Sequence, residues 1–410
     1  MDAALAQTLA TRHGTPFYAY DLGVVKDHAK QLFAALPSGA SICYSFKANP
    51  MPAIASAVRE AGCRAEITSQ GELAAAQVAG FTGAQMLFGG PGKTREEIIT
   101  AIQAGIRLFS CESFRDLALL ASLAAAEKIT FQVLLRVNPA EAPDARLAMS
   151  GVESQFGFEE SLLTDPAARQ RVLLPGLDVC GIHIYFGTQV AGVDAVVANT
   201  RRAIAAAERV QAALGFECRI LNAGGGFPWP YANDHTQPDL SDLREKLTTV
   251  WQSSPLAQAG AQIWFESGRY LCAGSGWLVA QVLEAKALPN KTFIILDTGI
   301  HHLGGMAGLG RVPRGAVTVQ NLSRDVSGEP PISVDLVGPL CTPLDCLARG
   351  LKIPPVTEGD LIGIPNVGAY GITASLLGFL SHPPPLEIAH ENGQEREIWR
   401  LRYGHERHSS

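Results

Sequence analysis

Between about residues 40 and 270 the chain alternates two apolar patterns. Short unbroken runs, "SICYSF", "RAEITS", "QMLFGG", "RLFSCE", "TFQVLLRV", "DVCGIHIYFG", "CRILNAGGG" and "QIWFESGRYL", read as buried strands. Between them stand Ala-rich stretches such as "PAIASAVREAGC", "TREEIITAIQAGI" and "VVANTRRAIAAAERVQAALGF". Their apolar residues recur every three or four positions, as helices covering a sheet require. Eight strands alternating with helices predict an α/β fold, a (β/α)8 barrel. A doubly wound open sheet has the same periodicity and stays as the structural alternative.

After residue 275 the pattern changes. "GWLVAQVLEAKAL", "KTFIILDTG", "AVTVQNL", "ISVDLVGP", "DLIGIPNV" and "REIWRLRY" are short strand-like runs between Pro, Gly and Asn turns, and helical runs largely disappear. The expected division is a barrel over 25–272 and an all-β domain over 273–410, which the early strand "TPFYAYDL" (15–22) joins. The opening "MDAALAQTLATRHG" reads as a short amphipathic helix and lacks the apolar core of a signal peptide.

Composition narrows the function. A chain of 410 residues exceeds one ordinary core, in line with two domains. A net charge of -6 and a pI near 5.9, with no long basic run, argue against nucleic acid as a partner. No uninterrupted apolar stretch reaches the roughly 18 residues of a membrane span. The eight cysteines are scattered with no C-x-x-C pair, the usage of a reducing compartment, so the cytoplasm is the expected location.

Candidate chemistry sits where the predicted strands end. "CYSFKANP" ends the first strand in Lys47, "GGG" (Gly224, Gly225, Gly226) ends the seventh, and "ESGR" (Glu266 to Arg269) ends the eighth. Lys47 alone reads as a rim lysine whose stem covers apolar surface, and Glu266 alone as a salt-bridge partner of Arg269. Together the three places are more specific. Glycines let backbone N–H groups approach an anion, and Arg269 adds a planar donor fork. A lysine amine can hold an aldehyde cofactor as a Schiff base while a carboxylate keeps a pyridine nitrogen protonated. That combination fits pyridoxal 5'-phosphate.

"YSFKANP", "EITSQGEL", "SQFGF", "HIYFGTQ", "NAGGGF", "ESGRYL", "GPLCTPLDCL" and "NVGAYG" run in the order found in the fold-type III pyridoxal-phosphate decarboxylases. The chain resembles that family, relatives of the diaminopimelate and ornithine decarboxylases, from about Thr15 to Ile388. The resemblance implies an alanine-racemase-like barrel, a C-terminal β domain and a homodimer with shared active sites. It makes Lys47 the Schiff-base lysine. Gly224, Gly225, Gly226, Gly268 and Arg269 are implied at the phosphate, with a hydroxyl from Tyr370 and with Thr188 nearby. Glu266 faces the pyridine nitrogen, Glu66 takes a position usually held by Asp, and Arg136 lies near the ring hydroxyl. Cys341 is the thiol that enters the partner's site and delivers a proton after carbon dioxide leaves; Asp345 follows on its segment.

Departures from the family pattern bear on the substrate. Tyr185 stands where a histidine stacks on the cofactor ring, and Gln155 replaces a lysine expected to pair with Asp345 across the dimer. Thr342 replaces a substrate-facing carboxylate. "DTGIHHLGGM" lacks the arginine that grips a distal carboxylate; His301 and His302 occupy that stretch and, with Asp345, are expected at the substrate. No third ligand accompanies the two histidines, so no metal is expected. Gly304, Gly305, Gly308 and Gly310 keep that side low in bulk, while Arg311 and Arg314 are alternative sources of charge. These features resemble a subgroup acting on carrier-bound or citryl-linked amino acids in antibiotic or siderophore assembly. The rival readings are a decarboxylase of free diaminopimelate or another free amino acid, a racemase, and a non-catalytic binding relative.

Overall fold

The computed structural model describes residues 1–139, 145–148, 154–190, 192–234, 237–304, 317–326 and 328–405. Gly305, Gly308, Gly310, Arg311 and Arg314 fall outside them. The chain divides into two compact units. One comprises Lys26–Pro228 and Pro238–Leu271, the other Met1–Val25, Trp229–Gln237 and Cys272–Ser410. The segment Trp229–Gln237 thus belongs with the C-terminal unit, although it lies within the stretch where strands and helices alternate.

The first unit is a closed parallel barrel. Leaving aside β1 (Phe17–Asp21), its strands are β2 (Ser41–Ser45), β3 (Arg64–Ile67), β4 (Met86–Phe88), β5 (Leu108–Cys111), β6 (Phe131–Asn138), β7 (Leu177–His183), β8 (Ile220–Gly225) and β9 (Gln262–Ser267). Each pairs in parallel with the next, and β9 returns to β2 through Glu266 opposite Cys43. Closure rules out the open-sheet alternative. Every barrel strand falls on one of the eight predicted runs. Three of the connecting helices open on a hydroxyl cap: Ser69 accepts from Glu72 N, Thr94 forms a capping box with Glu97, and Ser113 accepts from Asp116 N.

Period-two alternation sets the barrel's interior. Cys43, Leu87, Leu108, Leu134, Cys180 and Trp264 form one apolar cluster, with Ile220 packed against it. Two residues further along the same strands stand Ser110, Arg136, Asn222 and Glu266, which share those residues' face. The interior therefore passes from an apolar layer to a polar one within a single step toward the strands' C-terminal ends. Functional groups of such barrels gather at that end.

The second unit is mostly β. Its central strand, β10 (Gly276–Leu288), pairs antiparallel with β1, with β11 (Lys291–Leu296) and with β14 (Leu361–Ile364). Beyond β11 lie β12 (Ile332–Val337) and β13 (Cys346–Ile353); beyond β1 lie β15 (Leu386–Glu391) and β16 (Gln394–Trp399). The N-terminal helix (Ala3–His13) sits on this sheet, with Ala6 and Leu9 buried against Phe17, Val279 and Ile388. No helix among the described residues is long and apolar enough to cross a membrane.

Candidate active site

At the end of β2 the chain turns through Phe46–Ala48, and Pro52 opens the next helix. Phe46 and Ala48 are buried while Lys47 between them is exposed, its Nζ 5.1 Å from the centre of the Tyr185 ring. Such a contact attracts a cation weakly to the ring face. The pair joins the ends of β2 and β7, which are not neighbours in the barrel.

The glycine run after β8 is shaped by close backbone approaches. Asn222 Oδ1 accepts from Gly224 N at 3.0 Å, and the register with β9 slips by one residue between Asn222 and Gly225. Gly224 has φ +68°, and a β-carbon there would stand 2.6 Å from the Ile184 carbonyl oxygen. At Gly225 a β-carbon would overlap the Glu266 carbonyl, and at Gly268 it would stand 2.5 Å from Ala48. Only glycine fits these places. Thr188 lies on the strand Gly187–Val190, whose Val190 N–H donates to the Gly226 carbonyl at 3.0 Å.

Glu266 is 2 % exposed, and two groups lie against its Oε1. Asn222 Nδ2 donates to it at 2.8 Å, and His183 Nε2 stands 3.0 Å away. Burial pushes this carboxyl up, but His183, then Lys47 and Arg136, outweigh it and hold Glu266 well below the usual carboxylate range. Glu66, also buried, moves the other way: burial raises it, the Glu266 charge adds to the rise, and Lys47 opposes. One carboxyl of this neighbouring pair thus takes the charge and the other favours the proton.

Sequence reasoning missed part of this layer. His183 also bonds Ser110 Oγ through Nδ1 at 2.8 Å. Glu112 accepts from Arg136 Nη1 at 2.9 Å and from Gly157 N at 3.1 Å, and Asp116, ion-paired with buried Lys93 at 3.2 Å, accepts from Glu112 N. The available signal was positional for three of them, since Ser110, Glu112 and His183 lie at or just past the end of a barrel strand.

The C-terminal unit holds the remaining candidates. Cys341 is exposed, whereas six of the other seven thiols are buried. Tyr370 is half-buried with a left-handed backbone, φ 54°, and its carbonyl accepts from Tyr231 OH at 3.0 Å. His301 and His302 lie 3.7 Å apart, centre to centre, with His382 5.0 Å from His301. His301 is 1 % exposed and neither ring nitrogen has a hydrogen-bond partner among the described residues. Burial and the two neighbouring rings push it down to about 3, so it is neutral at ordinary pH. Asp345 is 3 % exposed, and its two oxygens accept from Ile300 N and Leu340 N, both at 2.8 Å. It braces two loops. Among the described residues no group of three or more His, Cys, Asp or Glu could hold a metal ion.

The barrel's donor set fits a phosphorylated pyridine aldehyde. It offers an exposed amine, a buried anion and a buried guanidinium at Arg269, and two buried oxygens, Glu66 Oε2 and Ser267 Oγ, have no hydrogen-bond partner among the described residues. Comparison with known proteins agrees. The family described as pyridoxal-dependent decarboxylase, pyridoxal binding domain, matches residues 22–273. The chain is 34% identical to the L-glutamyl-[BtrI acyl-carrier protein] decarboxylase of Niallia circulans, over 98% of this chain and 94% of that one. It is 29% identical to the 2-[(L-alanin-3-ylcarbamoyl)methyl]-2-hydroxybutanedioate decarboxylase of Staphylococcus aureus, over 93% and 95%. Among solved structures it resembles diaminopimelate decarboxylase from Helicobacter pylori complexed with L-lysine, with TM-score 0.80, 27% identity and 96% and 95% coverage. The chain belongs to the pyridoxal-dependent decarboxylases. It is a carboxy-lyase whose cofactor is pyridoxal phosphate.

Proposed function

We propose that this enzyme removes the α-carboxyl group of an amino acid presented in conjugated form, on a carrier-protein arm or a citryl group. The observation that carries this reading is the 34% identity, across nearly the whole of both chains, to a decarboxylase whose named substrate is glutamyl-loaded acyl-carrier protein. The Staphylococcus aureus relative, named for a citrate-like conjugate, supports the same class. Thr342 and the neutral His301 offer no charge to a free, doubly ionised substrate end.

Lys47 is the residue that attaches the cofactor. Gly224, Gly225, Gly226, Gly268 and Arg269 hold its phosphate, with Thr188 and Tyr370 contributing hydroxyls, and Tyr185 lies against its ring. Arg136, fixed by Glu112, stands near the ring hydroxyl, with Glu66 close by. When bound, pyridoxal phosphate draws off the electron pair left on the substrate's α-carbon as carbon dioxide departs. Glu266, kept ionised, holds a proton at the ring nitrogen. Cys341, exposed on the C-terminal unit, delivers a proton to the α-carbon in a partner subunit of a homodimer. His301 and His302 meet the conjugated end of the substrate.

The test is kcat/KM for carbon dioxide release from free glutamate, diaminopimelate, lysine and ornithine against glutamyl-loaded carrier protein and citryl-linked amino acids. A site lacking the groups that read a charged terminus has little means of preferring it, whereas sites built around such groups discriminate by about 10⁴–10⁵. A free amino acid that outperforms every conjugate overturns the proposal.

A further inference from the structure

His183 reaches the polar layer through an irregularity in its own strand. Along β7 the pairing with β6 runs Val133 to Val179 and then Leu134 to Gly181, leaving Cys180 as one extra residue. Strict alternation from Cys180, which faces the barrel's apolar layer, would put Ile182 inside and His183 outside. The extra residue reverses that count and sets His183 opposite Arg136. Bulges of this kind re-aim side chains beside active sites. Gly181 makes the bulge possible, since a β-carbon there would overlap the Ile220 carbonyl and stand 2.8 Å from Leu134 Cδ2.

Once inside, the imidazole is held at Nδ1 by Ser110 Oγ at 2.8 Å, and its Nε2, which has no hydrogen-bond partner among the described residues, stands 3.0 Å from Glu266 Oε1. All three residues are buried, at 0 %, 2 % and 2 % exposure. An imidazole nitrogen this close to a carboxylate oxygen favours the anion over the acid and limits its rotamers. The Ser110 hydroxyl suits this arrangement whether the imidazole carries one proton or two, because it can donate to Nδ1 or accept from it.

We propose that His183 is a positioning residue: its imidazole, set by the β7 bulge and by Ser110, stands against Glu266 Oε1 and holds that carboxylate ionised and oriented toward the cofactor's ring nitrogen. Asn222 donates a hydrogen bond to the same oxygen, and Lys47 and Arg136 supply further positive charge. The inference rests on the reading of Glu266 given above, and its test separates the two.

The experiment loads the enzyme with pyridoxal phosphate carrying ¹⁵N in the ring and records that nitrogen's chemical shift. In the wild type it should lie in the protonated range. Glu266→Gln tests the underlying reading and should move the resonance toward the unprotonated range; an unmoved resonance would remove Glu266 from the ring nitrogen. Given that movement, His183→Leu should move it the same way, while His183→Gln, which keeps an N–H donor, should restore much of the wild-type value. A wild-type resonance in His183→Leu overturns the proposal while leaving Glu266 in place, and so does a Gln variant no different from Leu. Should His183→Leu fail to fold, Ser110→Ala keeps the imidazole and frees its orientation. A shifted or broadened resonance there supports the proposal, and an unchanged one overturns it.

Discussion

Lys47 is the exposed member of an otherwise buried turn, and its amine lies over an aromatic ring at the barrel's polar end. A rim lysine would share the exposure without reacting with the cofactor. Reducing the loaded enzyme with borohydride should bleach its yellow colour and leave a pyridoxyl mass on Lys47 after proteolysis; a label on another lysine would show the rim reading to be right. A second residue makes a prediction about stability. Glu387 in β15 is 4 % exposed, with Tyr20 OH at 3.1 Å, and burial pushes its carboxyl up to about 7. The folded state therefore binds a proton that the unfolded chain releases nearer 4.5. Its contribution is fully present below about 4.5 and is lost as pH rises through 7, on the order of 3 kcal/mol by pH 8. Glu387→Gln should remove that slope, so the variant gains Tm over wild type at pH 8 and gains little at pH 5. Parallel Tm curves would show that Glu387 does not titrate in this range.

At the scale of elements, the backbone at the end of β8 leaves no room for side chains. Gly225→Ala would force β8 away from β9 at the Glu266 carbonyl, and overpacking of this kind costs about 1–3 kcal/mol. The expected result is a Tm lower by several degrees and cofactor lost on gel filtration. Gly328→Ala, where no described residue lies within 4 Å of the added carbon, should be silent. Elements also show what could be read beforehand. The barrel strands were legible because each is a short apolar run buried on both faces, and punctuation by Gly, Pro and capping hydroxyls marked their ends. β13, with a half-exposed burial pattern, and β15, whose partner β1 lies at the other end of the chain, carry no such signal and were missed. Lys47, the glycine run and Glu266 stood out as chemistry placed at strand ends. His183 did not, because alternation along "DVCGIHIYFG" points it out of the barrel and only the paired strand reveals the extra residue. The contacts from His183 to Ser110 and Glu266 join strands far apart in sequence, which periodicity cannot report.

For the whole molecule, the candidates separate into a barrel set and a C-terminal set, with the amine in one and the exposed thiol in the other. If Cys341 serves a partner's site, mixing inactive Lys47→Ala and Cys341→Ala chains should restore activity, since a hybrid dimer assembles one intact site. Demonstrated subunit exchange with no recovery would put both residues in the site of one chain. The layout of the C-terminal unit has a further consequence, for how the chain is made. β1 lies between β10 and β15, with Phe17 opposite Val279 and Leu386. A ribosome adding about 5–20 residues each second reaches β15 roughly 20–70 s after it has finished β1. Through that interval β1, with Phe17, Tyr18, Ala19 and Tyr20 all fully buried in the finished protein, is an apolar ribbon with at least one edge unclaimed. The barrel can gather from its own residues meanwhile, so β1 is among the last strands to be secured on both sides.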